Sequence, residues 1–423
     1  MADRYTSVQD CIRATGSAMN FNKIAPPDTF IGRYMAAFDA VETAASYDFW
    51  SACWLLGTMC GRGVRVPRPH APIYMNWYVM LVAESGVTRK STAIRAARDL
   101  LTRVKPVEHL IEGKCTPEYV FQHVARHPHC PIVVSELVTF LGRESYIIDL
   151  PALLTDLYDC PKEKRGGSIT RGEQVIQDAY VTFLTASTPS WLRTSVNPTV
   201  VEGGFTSRCL FIHDERPKKK IAWPSERSFD EQGLATSLIR ASTLAQQVGS
   251  IEMMPSGMRR FETWYKQRDT SSIVPFIASF NAREDGHVLR MAATLAVNDG
   301  TLAIERRHID HAIKLITHVK AGAVKVFSDT GSAIKVAQGI DRMVQLLIEA
   351  GPIGIPHTRL YTTVRYYVTA DEFTIIIATM HELHMLIKMV PERQGGGPRG
   401  VRYAVGPNMM NNKAMEELMH TFV

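Results

Sequence analysis

Residues 83–92, AESGVTRKST, have the types and the spacing that bind phosphate. They follow the continuous apolar run 77–82 and precede a helical pattern over 91–104; such a run is typical of a strand buried on both faces. Gly86 allows the chain to turn, so that backbone N–H groups and a helix N-terminus can point at one anion. Lys90 is then placed to reach the outer phosphates, and the Ser91 hydroxyl to ligate magnesium. The predicted binding residues are Ser85, Gly86, Val87, Thr88, Arg89, Lys90, Ser91 and Thr92.

The segment matches the usual phosphate-binding pattern G-x-x-x-x-G-K-[ST] only in part. Glu84 and Arg89 stand where that pattern has its two glycines, and only the lysine and hydroxyl end is intact. The alternative interpretation is an ordinary strand-to-helix loop with a solvated Arg–Lys pair.

A second apolar run, 131–134, ends in Ser135 and Glu136. Phosphoryl transfer needs a ligand for the metal and a base that activates the attacking water. We predict that Glu136 is the base and that Ser135, in the place of an aspartate, joins Ser91 at the metal. A neutral hydroxyl holds magnesium less strongly than a carboxylate does, so metal affinity or turnover is expected to be weak. A chance glutamate after a buried strand is the alternative.

Two further residues stand at the ends of apolar runs. The run 180–184 closes with polar residues up to Thr188, and carboxyl ends of parallel strands meet where ligands bind. Thr188 is therefore predicted to sense the terminal phosphate. Arg208 comes just before the run 209–212 and could supply a guanidinium to a phosphate held by a neighbouring subunit. Alternatively, Arg208 caps the strand or pairs with an acidic neighbour.

Composition limits the class of protein. The chain of 423 residues has 45% hydrophobic and 21% charged residues, which predicts a globular protein of several domains. Residues 1–10 are polar, and no uncharged run approaches the roughly 20 residues that span a bilayer. Seven scattered cysteines without a C-x-x-C pair favour reduced thiols and a cytoplasmic location, with no membrane partner. His123, His127, His129 and Cys130 lack a second ligand group, so a metal site there is not expected.

The formal net charge is +6 and the pI is about 8.9, but the positive charge is clustered. Clusters favour a polyanionic partner, although each can also be a solvated loop. Gly166 and Gly167 lie between a basic arm and the alternating residues 168–171, which indicates a hairpin. The clusters comprise Lys162, Lys164, Arg165 and Arg171, and Arg216, Lys218, Lys219 and Lys220.

The order of these features over residues 70–215 resembles that of the AAA+ ATPases. The RKS, SEL and GGFTSR segments are similar to those of AAA+ proteins from phage and mobile-element replication modules, distantly similar to MCM-type helicases. The resemblance implies phosphate and metal binding by Lys90 and Ser91, catalysis by Glu136, a sensor role for Thr188 and an arginine finger at Arg208. The hairpin resembles the pre-sensor-1 hairpin that projects into the channel of a ring, where basic side chains grip phosphates without reading bases.

The remainder of the chain fits the same resemblance. Residues 226–330 have helical periodicity and look like the helical lid, in which Arg290 matches arginines that contact nucleotide; a helix arginine reaching out to solvent is the alternative. After residue 331 two helices, a capping box at Thr369 and Glu372, and two strand-like runs outline a winged helix. Arg393, Arg399 and Arg402 suit DNA phosphates, although many such modules bind only protein.

We therefore predict an α/β protein with five parts. These are an all-α N-terminal collar (1–70), an AAA+ P-loop core with a parallel sheet (71–225), a helical lid (226–332), a C-terminal winged helix (333–410) and a tail (411–423). The predicted function is a ring-forming, ATP- and Mg²⁺-dependent DNA helicase or translocase, assembled as a hexamer. The rival is an ATP-switched DNA-binding assembly or loading factor with slow hydrolysis and no unwinding, and a third hypothesis is a degenerate ATPase that serves as an adaptor.

Overall fold

The structure is a computed structural model, and it describes most of the chain. The described residues are 19–69, 71–105, 109–141, 149–168, 172–195, 204–222, 230–268, 275–327, 330–389, 400–409, 411, 414 and 418. The chain divides into two compact units, 1–328 and 329–423.

The first unit alternates strands and helices through its middle and ends in long helices. Its elements are α1 (Phe30–Ala37), α2 (Ala45–Cys60), β1 (Arg65–Val66), β2 (Ile73–Tyr74), β3 (Tyr78–Val82), α3 (Lys90–Val104), β4 (Ile111–Glu112), α4 (Pro117–Arg126), β5 (His129–Val134), α5 (Leu137–Leu141), α6 (Asp149–Tyr158), β6 (Glu163–Ser168), β7 (Gly172–Gln177), β8 (Tyr180–Ser187), α7 (Pro189–Ser195), α8 (Phe205–Arg208), β9 (Leu210–His213), α9 (Glu231–Val248), β10 (Glu252–Met253), α10 (Pro255–Gln267), α11 (Pro275–Asn298), β11 (Ala303–Ile304) and α12 (Arg306–Phe327).

A five-stranded parallel sheet forms the centre of this unit, in the order β4-β5-β8-β3-β9. The class is therefore α/β, as predicted. Strand β8 is inserted between β3 and β5, and it pairs with both along most of its length. Every residue of β3 and β8 is buried, which explains why both strands are continuous apolar runs in the sequence. This order brings the carboxyl ends of β5, β8 and β3 side by side.

Helix α2 packs into this core, so the described part of the predicted collar is not a separate outer layer. Trp50 and Trp54 are completely buried, and so are the polar residues Asp48 and Ser51 of the same helix. Tyr180 donates a hydrogen bond from its hydroxyl to the carbonyl of Gly57 (2.5 Å), which ties α2 to β8. A helix buried around its whole circumference belongs to the core, whereas the sequence predicts a collar that a linker joins to the core.

The predicted hairpin exists, but its turn is not at the two glycines. Strands β6 and β7 pair antiparallel, with Gly166 opposite Gln174 and Gly167 opposite Glu173. Both glycines thus lie within β6, and the connection falls at residues 169–171, outside the described residues. A β-carbon on Gly166 would lie 2.8 Å from the ring of Phe121. Close packing against helix α4, rather than a turn, requires glycine at position 166.

The long helices that follow the sheet also belong to the first unit. Helix α12 packs along strand β9, and α11 packs against α8 and α12. Helix α9 contacts α2 and α3. The helical character predicted for residues 226–330 is confirmed in the described part of this range, whereas these helices are not a compact unit of their own.

The second unit has its own core, formed by buried residues of its helices and sheet. Its antiparallel three-stranded sheet has the order β12-β14-β13. Helix α15 begins with the predicted capping box between Thr369 and Glu372. The elements are α13 (Thr330–Ala350), β12 (Ile355–Pro356), α14 (His357–Val364), α15 (Ala370–Glu382), β13 (Leu386–Met389) and β14 (Arg402–Val405).

Two sequence-level expectations concern the whole chain. Among the described helices, none is long and apolar enough to cross a membrane. The six cysteines in the described residues are buried free thiols, which agrees with the prediction of reduced thiols without disulfides for that part of the chain.

Candidate functional site

The turn between β3 and α3 contains two residues with positive φ angles, Gly86 and Arg89. Gly86 has φ +77°, and no atom lies within 4 Å of a β-carbon placed on it. Arg89 is left-handed (φ 52°, ψ 40°) at the position where the usual pattern has glycine. This conformation costs a non-glycine residue about 1–2 kcal/mol. The Arg89 guanidinium donates to Glu42 Oε2 from Nε (3.2 Å) and Nη2 (3.1 Å), an ion pair that helps to hold the strained residue in place.

Lys90 is the first residue of α3 and is folded back over the start of the turn. Its Nζ donates hydrogen bonds to the carbonyl of Ala83 (2.6 Å) and the carbonyl of Glu84 (3.0 Å). Burial lowers the pKa of Lys90, while the negative charges of Glu84 and Glu136 oppose that change. Lys90 and Glu136 line the same cavity.

The tips of three strands form one cavity with this turn. Ser135 and Glu136 follow β5, Thr188 follows β8, and all three line a cavity of about 350 Å³. This volume is within the range of small-molecule sites. From the turn and the first residues of α3, the cavity wall includes Ser85, Gly86, Arg89, Lys90, Ser91 and Thr92. The structure therefore brings together most of the residues that the sequence predicts for phosphate and metal.

Two residues of the predicted binding set do not line that cavity. Val87 is exposed to solvent, and Thr88 is buried with its side chain turned away from the cavity. Thr88 Oγ1 donates a hydrogen bond to the hydroxyl of Tyr47 (3.2 Å). The sequence predicts that the loop binds through backbone N–H groups, and the side chains of these two residues add no ligand atoms to the cavity.

Thr188 caps the helix that follows it. Its Oγ1 accepts a hydrogen bond from the backbone N–H of Trp191 (3.2 Å) and contacts Ser190 Oγ (3.1 Å). A hydroxyl has two acceptor lone pairs and one donor, so Thr188 can hold the cap and still contact a ligand in the cavity. Both the predicted sensor position and an ordinary capping role fit this geometry.

The cavity contains residues with oxygen donors for the magnesium ion predicted at Ser91 and Ser135. The oxygens of Ser91, Ser135 and Glu136 line one cavity, and Mg²⁺ prefers oxygen ligands. No cluster of three His, Cys, Asp or Glu side chains within the described ranges could hold a metal ion by itself. The donor set fits an ion that arrives with the phosphates of its ligand, because Mg²⁺ usually takes one or two protein oxygens and completes its shell with phosphate and water.

Tyr47 braces the turn, and no pattern in the sequence singles it out. Its hydroxyl donates to the carbonyl of Val82 (2.8 Å) while accepting from Thr88. Burial raises the pKa of Tyr47, so the hydroxyl keeps its proton and remains a donor. The neighbouring Ser46 donates to Asp214 Oδ2 (2.8 Å) at the carboxyl end of β9. The start of α2 thus contacts the carboxyl ends of β3 and of its sheet neighbour β9.

Arg208 lies at the opposite edge of the sheet from Lys90. It ends α8 just before β9, whose amino end is level with the amino end of its parallel neighbour β3. Arg208 is 7% exposed. Its Nη2 donates to Asp159 Oδ2 (2.7 Å) and its Nη1 to the carbonyl of Gly204 (3.0 Å). Within one protomer Arg208 pairs with an acidic neighbour, which is the alternative that the sequence left open.

Arg290 does not reach the cavity either, and the prediction that it contacts a ligand there was wrong for its own protomer. Nε donates to the carbonyl of Tyr74 (2.7 Å), Nη1 donates to the hydroxyl of Tyr158, and the guanidinium lies 5.5 Å from the ring centroid of Trp77. It is 6% exposed, so it is not a helix arginine that reaches out to solvent. Arg290 joins α11 to the amino edge of the sheet.

The positive charges of Lys164 and Arg165 in the hairpin are paired with carboxylates of the hairpin and of helix α6. Lys164 pairs with Asp156, and Arg165 pairs with Glu163 (2.6 Å) and Glu173 (3.1 Å). Lys162 is exposed, and Arg171 lies outside the described residues. Two of the three described basic residues of this cluster are therefore paired with acids, and their grip on DNA phosphates stays a prediction.

The second basic cluster has a structural role in part. Lys218 pairs with the buried Asp48 (2.5 Å), and Lys219 pairs with Asp39 (2.5 Å). Burial raises the pKa of Asp48 to about 6, against the opposing effects of Lys218 and Thr43. These ion pairs fasten the strand β9 region to the N-terminal helices.

Of the arginines predicted to contact DNA in the second unit, only Arg402 is described. Its Nε donates to the carbonyl of Ile353 (3.1 Å) and its Nη2 to the carbonyl of Gly354 (2.6 Å). The guanidinium holds a turn through these two nitrogens, and the phosphate contact of Arg402 stays a prediction. Arg393 and Arg399 lie outside the described residues.

Two comparisons with known proteins found no relative of this chain. A scan against models of protein families finds no match, and a search of curated protein sequences finds none either.

Proposed function

We propose that this chain is a Mg²⁺-dependent ATPase of the AAA+ class that assembles as a hexameric ring and works as a helicase or translocase on DNA. The observation that carries the ATPase proposal is the convergence of Lys90, Glu136 and Thr188 on one cavity from separate strand ends. A strand-to-helix loop without function would not require an acid and a polar strand tip beside its lysine.

The roles of the side chains follow from their positions. Lys90 would exchange the carbonyls of Ala83 and Glu84 for phosphate oxygens, which are stronger acceptors because they are charged. Glu136 would accept the proton of the attacking water, and Thr188 would hydrogen-bond the terminal phosphate. Magnesium, when bound at Ser91 and Ser135, supplies neutralisation of the charge on the phosphates.

A second cavity supports a nucleotide over a simple phosphate ligand. It has a volume of about 520 Å³ and is lined by Ser46, His213, Asp214 and His318, among others. The backbone N–H of Asp214 donates to the carbonyl of Val82 (3.2 Å), so this cavity begins where the 83–92 turn begins. The two cavities share no lining residue, and we propose that the nucleoside passes the start of the turn to lie beside strand β9.

The position of Arg208 supports a ring. A parallel strand of the length of β3 spans about 16 Å, so an arginine at the amino edge cannot reach phosphates at the carboxyl edge of the same protomer. If Arg208 acts on phosphate, it must do so in the site of a neighbour. Head-to-tail contacts of this kind form a ring when the rotation between protomers closes, and a ring is what we propose here.

The finer architecture of the fold is part of the same proposal. Helices α9 to α12 would be the lid, because they continue the chain from the sheet and line the second cavity through α12. The second unit would be a winged helix, since it combines the helices α13, α14 and α15 with a three-stranded antiparallel sheet.

An ATP-switched assembly or loading factor without unwinding remains the second candidate, and specific observations favour it. Lys164 and Arg165 of the hairpin are paired with acids, which weakens their grip on a passing DNA strand. Ser135 in place of an acid favours slow hydrolysis. The hairpin's insertion between α6 and β8, in the manner of the resembling motors, favours the helicase.

ATP turnover tests the proposed activity directly. Lys90→Ala is expected to lower nucleotide affinity at least tenfold, whereas Glu136→Gln should keep binding and lower turnover about 10²–10⁴-fold, the usual contribution of a general base. Lys114→Ala and Glu252→Gln change exposed residues of the same types outside the cavity and should change neither quantity. Undiminished turnover in Lys90→Ala would refute the proposed site.

Strand displacement from a forked DNA separates the two candidates. ATP-dependent displacement that Glu136→Gln abolishes supports the helicase. ATP-dependent assembly on DNA without displacement supports the switch.

A further inference from the structure

A further cavity, of about 400 Å³, lies at the amino edge of the sheet. Its wall comes from the segment before β3, from the end of α6 and from helix α11. It shares no lining residue with the cavity that contains Lys90, and its volume is within the range of small-molecule sites. The charged and amide side chains of the wall are Arg68, Asn76, Asp159, Arg283, Asp285 and Arg290.

Positive charge is crowded at the Asp159 side of this cavity. Asp159 accepts a hydrogen bond from Arg208 (2.7 Å) and lies 3.5 Å from Arg283, so one carboxylate serves two guanidinium groups. Burial and the charge of Arg208 lower the pKa of Arg283. Burial, the charge of Arg290 and the charges of the same two arginines lower the pKa of His287 to about 3, so its imidazole stays neutral. An anion in the cavity would reduce this repulsion.

The Asp285 side of the cavity has the same imbalance. Asp285 lies 3.7 Å from Arg68 and 3.9 Å from Arg268, and both distances are longer than normal hydrogen bonds. Arg290 donates from Nε and Nη1 to uncharged oxygens. Because a guanidinium has five N–H donors, the arginines of the wall keep donors for an anion.

Asn76 adds an acceptor to the same wall. Its Nδ2 donates to the carbonyl of Tyr158 (2.7 Å), which fixes the orientation of the amide. The residue is completely buried, and its Oδ1 has no hydrogen-bond partner among the residues that the structure describes. A buried acceptor is costly to leave unpaired. Asn76 therefore indicates a ligand that donates an O–H or N–H hydrogen bond and is also negatively charged.

We propose that this cavity binds a phosphate that retains a proton. Its unprotonated oxygens would accept hydrogen bonds from Arg68, Arg283 and Arg290. Its O–H would donate to Asn76 Oδ1. The carboxylates of the wall oppose an anion that has acceptors only, because such an anion would face negative charge without a proton to donate. The volume also admits a phosphate that is carried on a small hydroxylated compound.

Calorimetric titration of the full chain near neutral pH tests this site with inorganic phosphate and sulfate. The two ions are similar in size, but phosphate retains a proton at neutral pH and sulfate does not. All titrations use the Lys90→Ala background, so that binding at the proposed ATP site does not contribute. We expect phosphate to bind at least about tenfold more tightly than sulfate, which is the usual worth of one hydrogen bond to a charged group.

Glycerol 1-phosphate distinguishes the two sources of the phosphate group. Its hydroxyl groups can donate to the same acceptors as the proton of inorganic phosphate. Tighter binding than that of inorganic phosphate would assign the site to phosphate esters, and weaker binding would assign it to the free ion.

Variants of the wall separate specific binding from general attraction of anions. Arg283→Gln should lower phosphate affinity at least about tenfold, whereas Arg240→Gln, which changes an exposed arginine on α9 outside the cavity, should leave it unchanged. Asp285→Asn should narrow the preference for phosphate over sulfate, because it removes negative charge that opposes an anion without a donor.

Three results would overturn the proposal. The first is no binding of phosphate in the Lys90→Ala background up to about 10 mM. The second is equal affinity for phosphate and sulfate. The third is phosphate affinity that is as high in Arg283→Gln as in Arg240→Gln.

Discussion

At the scale of single residues, Lys90 indicates that the cavity is prepared for an anion. Its ammonium is held by two backbone carbonyls, which are dipoles and not charges, and burial lowers its pKa. A bound phosphate would give the ammonium a hydrogen-bond acceptor with a full negative charge in place of these carbonyls. Binding should therefore raise the pKa of Lys90, and the lysine contributes to affinity through a charge-assisted hydrogen bond.

Tyr47 gives a prediction about how the turn is held. Tyr47→Phe removes the hydroxyl that donates to Val82 and accepts from Thr88, and it leaves the buried Thr88 hydroxyl without its acceptor. We expect the free energy of unfolding to fall by about 1–3 kcal/mol and the affinity for a fluorescent ATP analogue to fall with it. Urea denaturation and a fluorescence titration measure the two effects.

A second tyrosine serves as the matched control. The hydroxyl of Tyr34 is buried without a hydrogen-bond partner among the described residues. Tyr34→Phe should therefore leave stability unchanged or raise it, because an unpaired buried polar group is removed. Equal losses in the two variants would show that the brace contributes nothing specific.

At the scale of elements, the sequence predicted best what depends on local pattern. The strands at β3, β5 and β8 are apolar runs, and the capping box at Thr369 starts α15 as expected. The position of α2 could not be predicted, because the partners of its buried residues, such as Lys218 for Asp48, come from distant parts of the chain. Gly166 was misleading because its small size accommodates Phe121, a contact 45 residues away in sequence.

The site was predictable to the same degree. Lys90, Ser135 and Glu136 follow strand ends, and parallel strands bring their ends together by construction. The environments of Arg208 and Arg290 depend on Asp159, Tyr158 and Tyr74, which come from other elements. The partners of a long side chain at a sheet edge come from elements that are distant in the sequence, so the order of motifs along the chain does not predict them.

The link between α2 and β5 predicts a pH dependence of stability. His129 Nε2 donates to the carbonyl of Thr58 (2.7 Å), and burial lowers the pKa of His129 to about 3. In the unfolded chain the imidazole of His129 takes up a proton near pH 6.5, whereas in the folded chain it stays neutral until the pH is much lower. The part of the unfolding free energy that depends on neutral His129 is fully present above pH 6.5. It is lost as the pH falls towards 3, with a slope of up to about 1.4 kcal/mol per pH unit.

The variant His129→Gln isolates that effect. Glutamine keeps an N–H donor for Thr58 but does not titrate, so its unfolding free energy should decline less steeply than that of the wild type between pH 6.5 and 4. Urea denaturation at several pH values measures both slopes. Parallel curves for the two proteins would mean that His129 does not cause the acid sensitivity.

At the scale of the whole molecule, the two edges of the sheet have complementary chemistry. The carboxyl edge has the cavity with Lys90 and Glu136. The amino edge has Arg208, and Arg283 pairs with the same Asp159 (3.5 Å). Burial and the charge of Arg208 lower the pKa of Arg283, a sign of crowded positive charge that an additional anion would relieve. Under the proposed function, each protomer would contribute the pocket at one edge and Arg208 at the other to two different phosphate sites.

Mixing two inactive variants tests this division. In Arg208→Ala the pocket is intact and the donated arginine is missing, whereas Lys90→Ala has the arginine and lacks the pocket lysine. Each variant alone should turn over ATP at least a hundredfold more slowly than the wild type. In a random mixture, about one quarter of the contacts join an intact pocket to an intact arginine, so turnover should recover to about that fraction.

Asp159→Asn shows whether the loss in Arg208→Ala comes from structure instead. It breaks the ion pair that Arg208 makes within its own protomer but keeps the arginine, so turnover should persist. If Asp159→Asn is as inactive as Arg208→Ala, and the mixture does not recover, Arg208 serves the fold of its own protomer and no neighbour depends on it. Recovery on mixing can come only from a site shared between subunits, because neither variant has both halves.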